Sequence, residues 1–373
     1  MTIILILSAG ASIAYIFLIL TYIKGWEALQ EYKPEKMEAF INVSIIVAFR
    51  NEEENLPCLL NAIRKQNYPG TYLEIIFADD HSSDRSCEII GDYVNSETNG
   101  RLLKLDENSN GKKKALAMAA AAARGDLLLF TDADCIPAIN WVNTVVSCYL
   151  KKRPALIAMP VLIKPDKTFF SRFQALEFLS LIGTTAGSFG IQRPIMLNGA
   201  NFAIEKDLYL RCIPFLREQT SSGDDLFLLL HLKKLVSPQL TFLKSAEACV
   251  TVKPHPTIWS FIRQRLRWTS KSKHYRDKSL ILSACLVFLI NFCLFNCLFM
   301  SFFNSSFIFI GGVVFLAKSI VDFIFLKKMV RFFNVERLLQ IFVLSQFLYF
   351  LYVSFIGVTG NLFTTRWKGR EVK

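Results

Sequence analysis

The chain has 373 residues, of which 52% are hydrophobic and 33 are phenylalanine, a composition that excludes an ordinary soluble protein and favours a membrane protein. The net charge of +12 comes from scattered basic residues that cluster mainly beside apolar stretches, which is typical of basic membrane-protein loops and excludes nucleic acid as a partner. The nine cysteines are odd in number and irregularly spaced, which excludes a disulfide framework and predicts a reducing, cytosolic setting for the soluble part.

The first predicted element is an uncharged apolar stretch over residues 2–23, long enough to cross a bilayer as a helix. A signal peptide is the alternative, but the stretch has no basic start and no small-residue cleavage site before Lys24. Because further lysines follow, the positive-inside rule places the next segment in the cytoplasm. We therefore predict a transmembrane helix in residues 1–24 and a cytoplasmic domain in residues 25–277.

From residue 40 the sequence alternates between buried strands and helices. Strands are predicted at residues 43–49, 73–78, 101–105 and 126–131. An alanine-rich helix over residues 112–124, with Gly125 as its expected C-terminal cap, precedes the last strand. The alternation predicts a doubly wound α/β domain with a mainly parallel sheet, and the lack of a glycine-rich phosphate motif excludes dinucleotide and P-loop folds.

Beyond residue 134 the order of elements is less regular. Strands are predicted at residues 155–161 and 196–204, and helices at residues 226–234 and 257–273. An apolar helix over residues 168–187 belongs either in the protein core or in the membrane interface. We favour the interface, because the chain is already anchored in the membrane.

Residues 278–373 are predicted to form a membrane region with about three apolar helices. Residues 279–317 carry no charge, which fits two spans hinged near Asn304, and residues 338–363 form a third apolar stretch. This count leaves the basic tail around Arg366 outside, against the positive-inside rule. Either the last stretch is re-entrant or interfacial, or the tail is an exception to the rule.

Two ionisable residues, Lys318 and Asp322, stand four positions apart inside a predicted span, where charge is costly. That spacing puts both side chains on one face of a helix. We interpret them as an internal ion pair; a role in a translocation path is the alternative.

The strand predicted at residues 126–131 ends in two carboxylates, Asp132 and Asp134. Ligands of open α/β sheets gather outside the C-terminal ends of strands, and carboxylates suit Mg²⁺ or Mn²⁺, which share their shell with substrate phosphates. The pair therefore predicts a site for a metal and a diphosphate. A turn or a helix N-cap is the commoner use of two nearby aspartates, so the motif needs support from the rest of the chain.

That support comes from two further acidic pairs, one after a strand and one before a helix, and from a Gln-x-x-Arg-Trp sequence. Together these resemble glycosyltransferase family 2, the inverting GT-A group that includes cellulose, hyaluronan and poly-N-acetylglucosamine synthases. The resembling segments are residues 44–53, 79–84 with His81 where glycine is usual, 111–116, 131–134 and 264–268. The resemblance implies a GT-A fold, Rossmann-like and doubly wound, flanked by transmembrane helices.

The resemblance also implies where the donor binds. Asp132 and Asp134 would hold the metal and bridge the two phosphates, and Asp79 or Asp80 would bind the uridine and ribose. The cofactor would be Mg²⁺ or Mn²⁺, whose positive charge stabilises the departing diphosphate.

Two lysines and a third acidic pair complete the implied chemistry. Lys112 or Lys113 would add positive charge near the nucleotide, and a solvated helix face is an equally good interpretation of them. Asp225, preceded by Asp224, would be the general base that accepts the proton of the acceptor hydroxyl. A helix N-cap is the alternative for this pair, and both interpretations can hold together.

The Gln-x-x-Arg-Trp helix supplies the remaining donor contacts. Gln264, Arg265 and Arg267 would bind the diphosphate, since arginine can hold phosphate through two nitrogens, and Trp268 would stack beneath a sugar of the donor or acceptor. The alternative is a basic amphipathic helix that lies on the membrane surface.

Residues Gly199, Ala200 and Asn201 are expected to line the acceptor side; the alternative is a plain strand bulge. The sequence thus predicts a membrane-bound inverting glycosyltransferase with a nucleotide-sugar donor, expected to be UDP-linked, and a lipid-linked or glycan acceptor. A processive polysaccharide synthase, with a possible partner subunit, is one alternative. A non-catalytic receptor or transporter with a nucleotide-binding domain is another.

Overall fold

The computed structural model describes residues 2–35, 39–216, 223–235, 239–360, 365–367 and 370–372. They fall into two compact units. The sheet unit comprises Gln30–Lys164 and Met196–Lys253, and the helical unit comprises Met1–Leu29, Pro165–Ile195 and Pro254–Lys373. The segment predicted as one cytoplasmic domain therefore contributes residues to both units.

The sheet unit is built on a seven-stranded sheet and a three-stranded sheet. The strands are β1 (Val43–Phe49), β2 (Leu73–Asp79), β3 (Gly100–Lys104), β4 (Leu127–Thr131), β5 (Ile136–Pro137), β6 (Leu156–Ala158), β7 (Val161–Ile163), β8 (Asn201–Glu205), β9 (Leu240–Phe242) and β10 (Val250–Val252); a hairpin of β11 (Thr365–Trp367) and β12 (Arg370–Val372) belongs to the helical unit. The large sheet has the order β3-β2-β1-β4-β8-β6-β9, and β5-β10-β7 form the small one.

The first four strands of the large sheet are parallel, and β8 is antiparallel to both of its neighbours. This mixed, mainly parallel sheet confirms the predicted α/β class. Strands β1 and β4 lie at its centre, where Ile45 and Leu128 have no exposed surface. Their continuous apolar sequences follow from burial on both faces. The antiparallel β8 begins only at Asn201, because the preceding residues form a turn in which the Ala200 amide donates to the Asn198 side chain.

The helices of both units are α1 (Thr2–Ala28), α2 (Leu56–Arg64), α3 (Ser86–Ser96), α4 (Lys112–Ala122), α5 (Trp141–Lys152), α6 (Phe169–Gly190), α7 (Lys206–Cys212), α8 (Asp224–Leu232), α9 (Ile258–Thr269), α10 (Lys278–Ser301), α11 (Ser306–Phe332) and α12 (Phe342–Thr359). The helical unit contains α1, α6 and α9 to α12, and the other helices belong to the sheet unit.

Gly125 does not cap α4, which ends earlier at Ala122. A Cβ at Gly125 would lie 2.5 Å from the Ser44 backbone nitrogen, and the Gly125 amide donates to the Ser44 hydroxyl at 2.9 Å. Glycine is therefore required here by the close approach of the chain to β1. The predicted cap was wrong, since a local rule could not see this long-range contact.

Helix α6 lies in the core of the helical unit. Its Gly187 and Gly190 pack directly on Gly25 of α1, so closely that a Cβ on Gly25 would lie 1.9 Å from the Gly187 carbonyl oxygen. Most of its second half is buried, including Ala186 and Phe189. The predicted interface location of residues 168–187 was therefore wrong, because apolar content alone does not separate a lipid-facing helix from a buried one.

Four described helices are long and apolar enough to cross a membrane: Ile6–Ala28, Lys278–Ser301, Ser306–Phe332 and Glu336–Thr359. These helices fit a membrane protein and agree with the predicted N-terminal and C-terminal apolar stretches, except that residues 361–363 lie outside the described part of the chain. Lys318 and Asp322 form the expected ion pair, with 2.6 Å between the Lys318 Nζ and the Asp322 Oδ2. Tyr15 donates to the other carboxylate oxygen, and Gln346 accepts from Lys318.

Candidate active site

The acidic residues of the sheet unit follow strands that end level with one another. Strand β1 pairs in parallel with β2, with Phe49 opposite Asp79, and with β4, with Ile46 opposite Phe130. Asp79 therefore ends β2 at the same edge of the sheet where Asp132 and Asp134 follow β4. The parallel register explains why carboxylates far apart in sequence lie at one edge.

Asp79 and Asp80 are both buried and both accept backbone hydrogen bonds. Asp79 Oδ1 accepts from the Ser82 amide, and Asp80 Oδ1 accepts from the Gly111 amide, each at 3.0 Å. Asp80 thereby fixes the loop before α4. His81 has a φ of 58°, which is why glycine is the easier residue here, and its ring Nε2 bonds to the Ser109 carbonyl at 2.7 Å.

Lys112, at the start of α4, interacts with carboxylates of two acidic pairs. Its Nζ lies 2.5 Å from Asp132 Oδ1. Burial lowers the pKa of Lys112, but the negative charges of Asp132, Asp224 and Asp225 outweigh it and raise the pKa above its ordinary value. Lys113 lies elsewhere, with its Nζ 5.6 Å from the centre of the Phe227 ring. The two lysines, equivalent in the sequence, are therefore distinct in the structure.

The carboxylate of Asp134 is influenced by other negatively charged side chains. Partial desolvation by the surrounding protein, together with repulsion from Asp132 and Glu52, raises the pKa of Asp134 to about 6, and Lys112 opposes the rise. Glu52 was not among the predicted site residues, and its only sequence signal was the acidic run after β1. Among the described residues no group of three or more His, Cys, Asp or Glu could hold a metal ion. Two adjacent carboxylates with raised charge density nevertheless fit a hard cation that takes its other ligands from a substrate.

Asp225 is held in one orientation by two backbone amides. Its Oδ2 accepts from the Gly199 amide at 2.9 Å and its Oδ1 accepts from the Leu226 amide at 2.8 Å. Asp224 begins α8, after Gly223 with a φ of 98°. A Cβ on Gly199 would lie 3.3 Å from the Asp225 Oδ2, so the glycine allows close approach. Gly199 and Asp225 are thus brought together.

Asn201, predicted to line the acceptor side, is fully buried and already hydrogen-bonded. Its amide nitrogen donates to the carbonyls of Pro160 at 2.7 Å and Ala248 at 2.9 Å, and its oxygen accepts from the Trp141 ring at 2.9 Å. An acceptor contact would require these bonds to break. Asn201 therefore anchors β8, and the turn before it presents Gly199 and Ala200 beside the Asp225 region.

In the helical unit, Arg265 of α9 is engaged by a buried glutamate of α6. Two guanidinium nitrogens bond to the two oxygens of Glu177, at 2.5 and 3.1 Å, and the Tyr352 hydroxyl donates to Glu177 at 2.6 Å. The rings of Phe261 and Trp268 lie 4.5 and 4.3 Å from the guanidinium carbon. A donor contact by Arg265 would require it to leave Glu177, a pairing that nothing local in the sequence signals.

Gln264, Arg267 and Trp268 are half-buried on the same helix. Burial lowers the pKa of His255, a hydrogen bond with Gln264 acts in the opposite direction, and the charges of Arg265 and Arg267 lower it further. Gln264 also accepts a hydrogen bond from Arg265. The Gln-x-x-Arg-Trp residues therefore form one connected group within the helical unit.

Comparisons with known proteins support the resemblance. Residues 44–211 match the family model "Glycosyl transferase family 2". The poly(ribitol-phosphate) beta-N-acetylglucosaminyltransferase TarS of Staphylococcus aureus is 36% identical over 91 residues, 24% of this chain and 16% of that protein. The beta-monoglucosyldiacylglycerol synthase of Trichormus variabilis is 26% identical over 246 residues, 64% of this chain and 50% of that protein.

Among solved structures, the mannosyltransferase PcManGT from Pyrobaculum calidifontis in complex with GDP-Man and Mn²⁺ superposes with a TM-score of 0.58 at 14% identity, covering 95% of this chain and 99% of that one. This likeness shows the GT-A type of fold. The matches to the two curated relatives cover at most half of their length, 16% and 50%. The match of residues 44–211 supports the predicted family and enzyme class over the alternative of a non-catalytic receptor or transporter.

Proposed function

Because the chain belongs to glycosyltransferase family 2 over residues 44–211, we propose that it is a membrane-bound, inverting enzyme. It transfers a sugar from a UDP-linked donor to a lipid-linked or polysaccharide acceptor, with Mg²⁺ or Mn²⁺ at Asp132 and Asp134 and Asp225 as general base. Asp79 and Asp80 bind the nucleoside end of the donor. The name of the relative from Trichormus variabilis, a glucosyldiacylglycerol synthase, favours a lipid acceptor.

The observation that carries this proposal is the meeting of two acidic pairs at Lys112. The Lys112 Nζ pairs with Asp132 and feels the charges of Asp224 and Asp225. Carboxylates of the proposed diphosphate site and the proposed base therefore both act on the charge of Lys112. An inverting displacement needs the base and the leaving group in one site, on opposite sides of the same carbon, and the shared lysine supports such a common site.

A bound Mg²⁺ or Mn²⁺ would supply positive charge to the diphosphate oxygens as the glycosidic bond breaks. Lys112 supports the same charge from the protein side, and its salt bridge keeps Asp132 in place. Asp225, oriented by the Gly199 and Leu226 amides, takes the proton of the acceptor hydroxyl as its oxygen attacks the anomeric carbon. In the helical unit, Gln264 and Arg267 bind phosphate and Trp268 binds a sugar, while Arg265 positions their helix through Glu177.

The direct experiment is Asp225→Asn, assayed for nucleotide release and sugar transfer with a panel of UDP-, GDP- and TDP-sugars. We expect transfer to fall by about 1,000-fold, within the usual range for a lost general base, with donor binding retained. The matched control is Asp92→Asn on α3, an exposed aspartate, which should behave as wild type. Near-normal transfer by Asp225→Asn would remove Asp225 from the role of base.

A further inference from the structure

We infer that His81 is a positioning residue that fixes the spacing between the two halves of the donor site before the donor binds. Its ring bonds to the loop that leads into Lys112, while its own backbone continues from Asp79 and Asp80. The bond itself is a feature of the sheet unit. Its effect on the donor rests on the proposed function, in which Asp79 and Asp80 bind the nucleoside and Lys112 supports the diphosphate.

His81 stands where the resembling family usually has glycine, and its backbone has a conformation that glycine adopts more easily. The φ of 58° is left-handed, which is unfavourable for most residues with a Cβ. The protein therefore keeps a side chain where a glycine would fit the backbone with less strain. Local strain of this kind persists when surrounding contacts compensate for it, so the contacts of the ring are informative.

The ring makes a hydrogen bond that a glycine could not make. The His81 Nε2 lies 2.7 Å from the Ser109 carbonyl oxygen. Because a carbonyl oxygen only accepts, the Nε2 carries a proton and donates it. The side chain thereby links the segment after β2 to the loop between β3 and α4.

The loop between β3 and α4, residues 105–111, is fastened near its two ends to the aspartates that close β2. The Leu105 amide donates to the Asp79 carbonyl at 3.1 Å. The Gly111 amide donates to the Asp80 carboxylate at 3.0 Å. Both ends of the loop are therefore held by the same neighbouring segment.

The middle of this loop has little burial to hold it. Asp106, Glu107 and Asn108 are exposed. A segment with few buried contacts opens easily unless hydrogen bonds restrain it. The bond from His81 to Ser109 lies in this stretch and restrains the loop between its two fastened ends.

Restraining the loop also restrains Lys112. Gly111 has a φ of 103°, and Lys112 follows it as the first residue of α4, so the loop sets the direction in which the helix starts. The Lys112 Nζ then lies 2.5 Å from Asp132 Oδ1. His81 thus acts on the proposed diphosphate site through the loop, as a positioning residue.

On its other side, the segment that carries His81 is fastened to the loop after β1. The Asn51 side chain accepts from the Ser83 amide at 2.8 Å, and the Asn51 amide donates to the Ser82 hydroxyl at 3.1 Å. The segment is therefore fixed independently of the loop before α4. A fixed spacing between two halves of a binding site lowers the cost of ordering it when the ligand binds.

Three variants separate the hydrogen bond from the backbone strain. In His81→Gln the amide nitrogen can reach the place of the histidine Nε2, whereas in His81→Asn it reaches the place of Nδ1, short of the carbonyl. Asparagine and glycine suit a left-handed backbone better than glutamine does. If the bond matters, His81→Gln is closest to wild type; if strain matters, His81→Asn and His81→Gly are favoured.

Amide hydrogen exchange of residues 105–111 in the full-length protein without donor tests the bond independently of any activity. We expect exchange to be about fivefold faster in His81→Asn and His81→Gly, the effect of one lost hydrogen bond, and close to wild type in His81→Gln. Unchanged exchange in His81→Asn and His81→Gly would overturn the inference, whatever the enzyme transfers.

The matched control is Arg153→Gly, which removes another exposed left-handed side chain of the sheet unit, with a φ of 47° at the end of α5. Strand β6 follows at Leu156, opposite Ile204, which in turn pairs with Leu128 near the start of β4. Arg153 therefore lies towards the edge of the sheet opposite the acidic residues. Its replacement should leave the exchange of residues 105–111 and nucleotide binding as in wild type.

Binding of UDP and of UMP, each with Mn²⁺, tests the effect on the donor site. UDP carries the diphosphate and UMP does not, so we expect His81→Asn to raise the Kd of UDP about fivefold and that of UMP less than about twofold. The donor KM should follow the Kd of UDP, while kcat at saturating donor stays within about twofold because the bound donor restores the spacing. His81→Gln should behave as wild type.

Equal weakening of UDP and UMP by His81→Asn would place His81 at the nucleoside and overturn its role in the spacing. A wild-type protein that binds no UDP would refute the proposed function instead. Hydrogen exchange would then still decide whether His81 restrains the loop.

Discussion

The two units of the protein use charge in opposite ways. In the helical unit, buried charges are matched: Arg265 with Glu177, and Lys318 with Asp322. In the sheet unit, negative charge accumulates at one edge, where Lys112 faces more carboxylates than it can neutralise. Matched buried charge indicates a structural role, and an acidic excess indicates that a cation or a proton completes the site. The predictions below test this contrast.

The largest expected effect is on sugar transfer, through the acidic edge of the sheet unit. Asp134→Ala removes a proposed metal ligand, so transfer should fall by at least about 1,000-fold and Mn²⁺ affinity in the presence of UDP should fall with it. The folded protein should remain intact, because the substitution relieves repulsion. Mn²⁺ titration and thermal unfolding of the same sample measure both. Loss of folding with retained Mn²⁺ affinity would reverse the assignment.

The matched ion pair of the helical unit, Arg265 with Glu177, should respond in the opposite manner. Glu177→Gln leaves Arg265 buried without its counter-charge and should cost about 3–5 kcal/mol of stability. Replacing both partners by apolar residues, Glu177→Leu with Arg265→Met, should recover most of that loss. Unfolding in detergent micelles measures each variant. If the single and double variants were equally unstable, the unpaired charge of Arg265 would not be the reason for the lost stability.

The two adjacent lysines provide a matched comparison within the sheet unit. Lys112→Met should reduce kcat by about 100-fold, because a charge that supports the leaving diphosphate is lost. Lys113→Met, which removes the contact of its Nζ with the Phe227 ring, should change kcat by less than about threefold. Steady-state kinetics with saturating donor separate them. Equal losses would place both lysines, or neither, at the diphosphate.

The smallest effect is a pH dependence of stability without metal. Because the folded-state pKa of Asp134 is raised from 3.8 to about 6, the protonated form is favoured on folding. Its stabilising contribution is complete below about pH 4 and is lost as the pH rises through 6. With EDTA present, Asp134→Asn should therefore gain stability over wild type between pH 5 and 8, by under about 1 kcal/mol because the side chain is exposed. If the stability gained by Asp134→Asn became smaller with rising pH, the effect could not be assigned to the raised pKa of Asp134.

The sequence was informative where the fold depends on local pattern. Continuous apolar runs predicted β1 and β4 as buried strands, and Asp132 and Asp134 were recognised because they follow such a strand. What the sequence could not show depends on distant partners. Glu52 near Asp134 and Glu177 on Arg265 became visible only when separate segments came together.

The course of α12 was open for a similar reason. Hydropathy reports whether a helix tolerates lipid, and gives no direction for it. The structure packs Phe342 on Phe323 and Gly357 on Phe288, contacts that hydropathy could not show. Asn201 is a further example: it was predicted on the acceptor side as part of the stretch Gly199 to Asn201, and its three buried side-chain hydrogen bonds became visible only in the fold.

The central claim is that two acidic pairs, distant in sequence, serve one donor sugar. A structure of the enzyme with a non-hydrolysable UDP-sugar and Mn²⁺ tests it most directly. We predict that Asp134 contacts the metal and that Asp225 faces the anomeric carbon from the side opposite the diphosphate. A metal bound away from Asp134, or an Asp225 turned away from the sugar, would contradict the account.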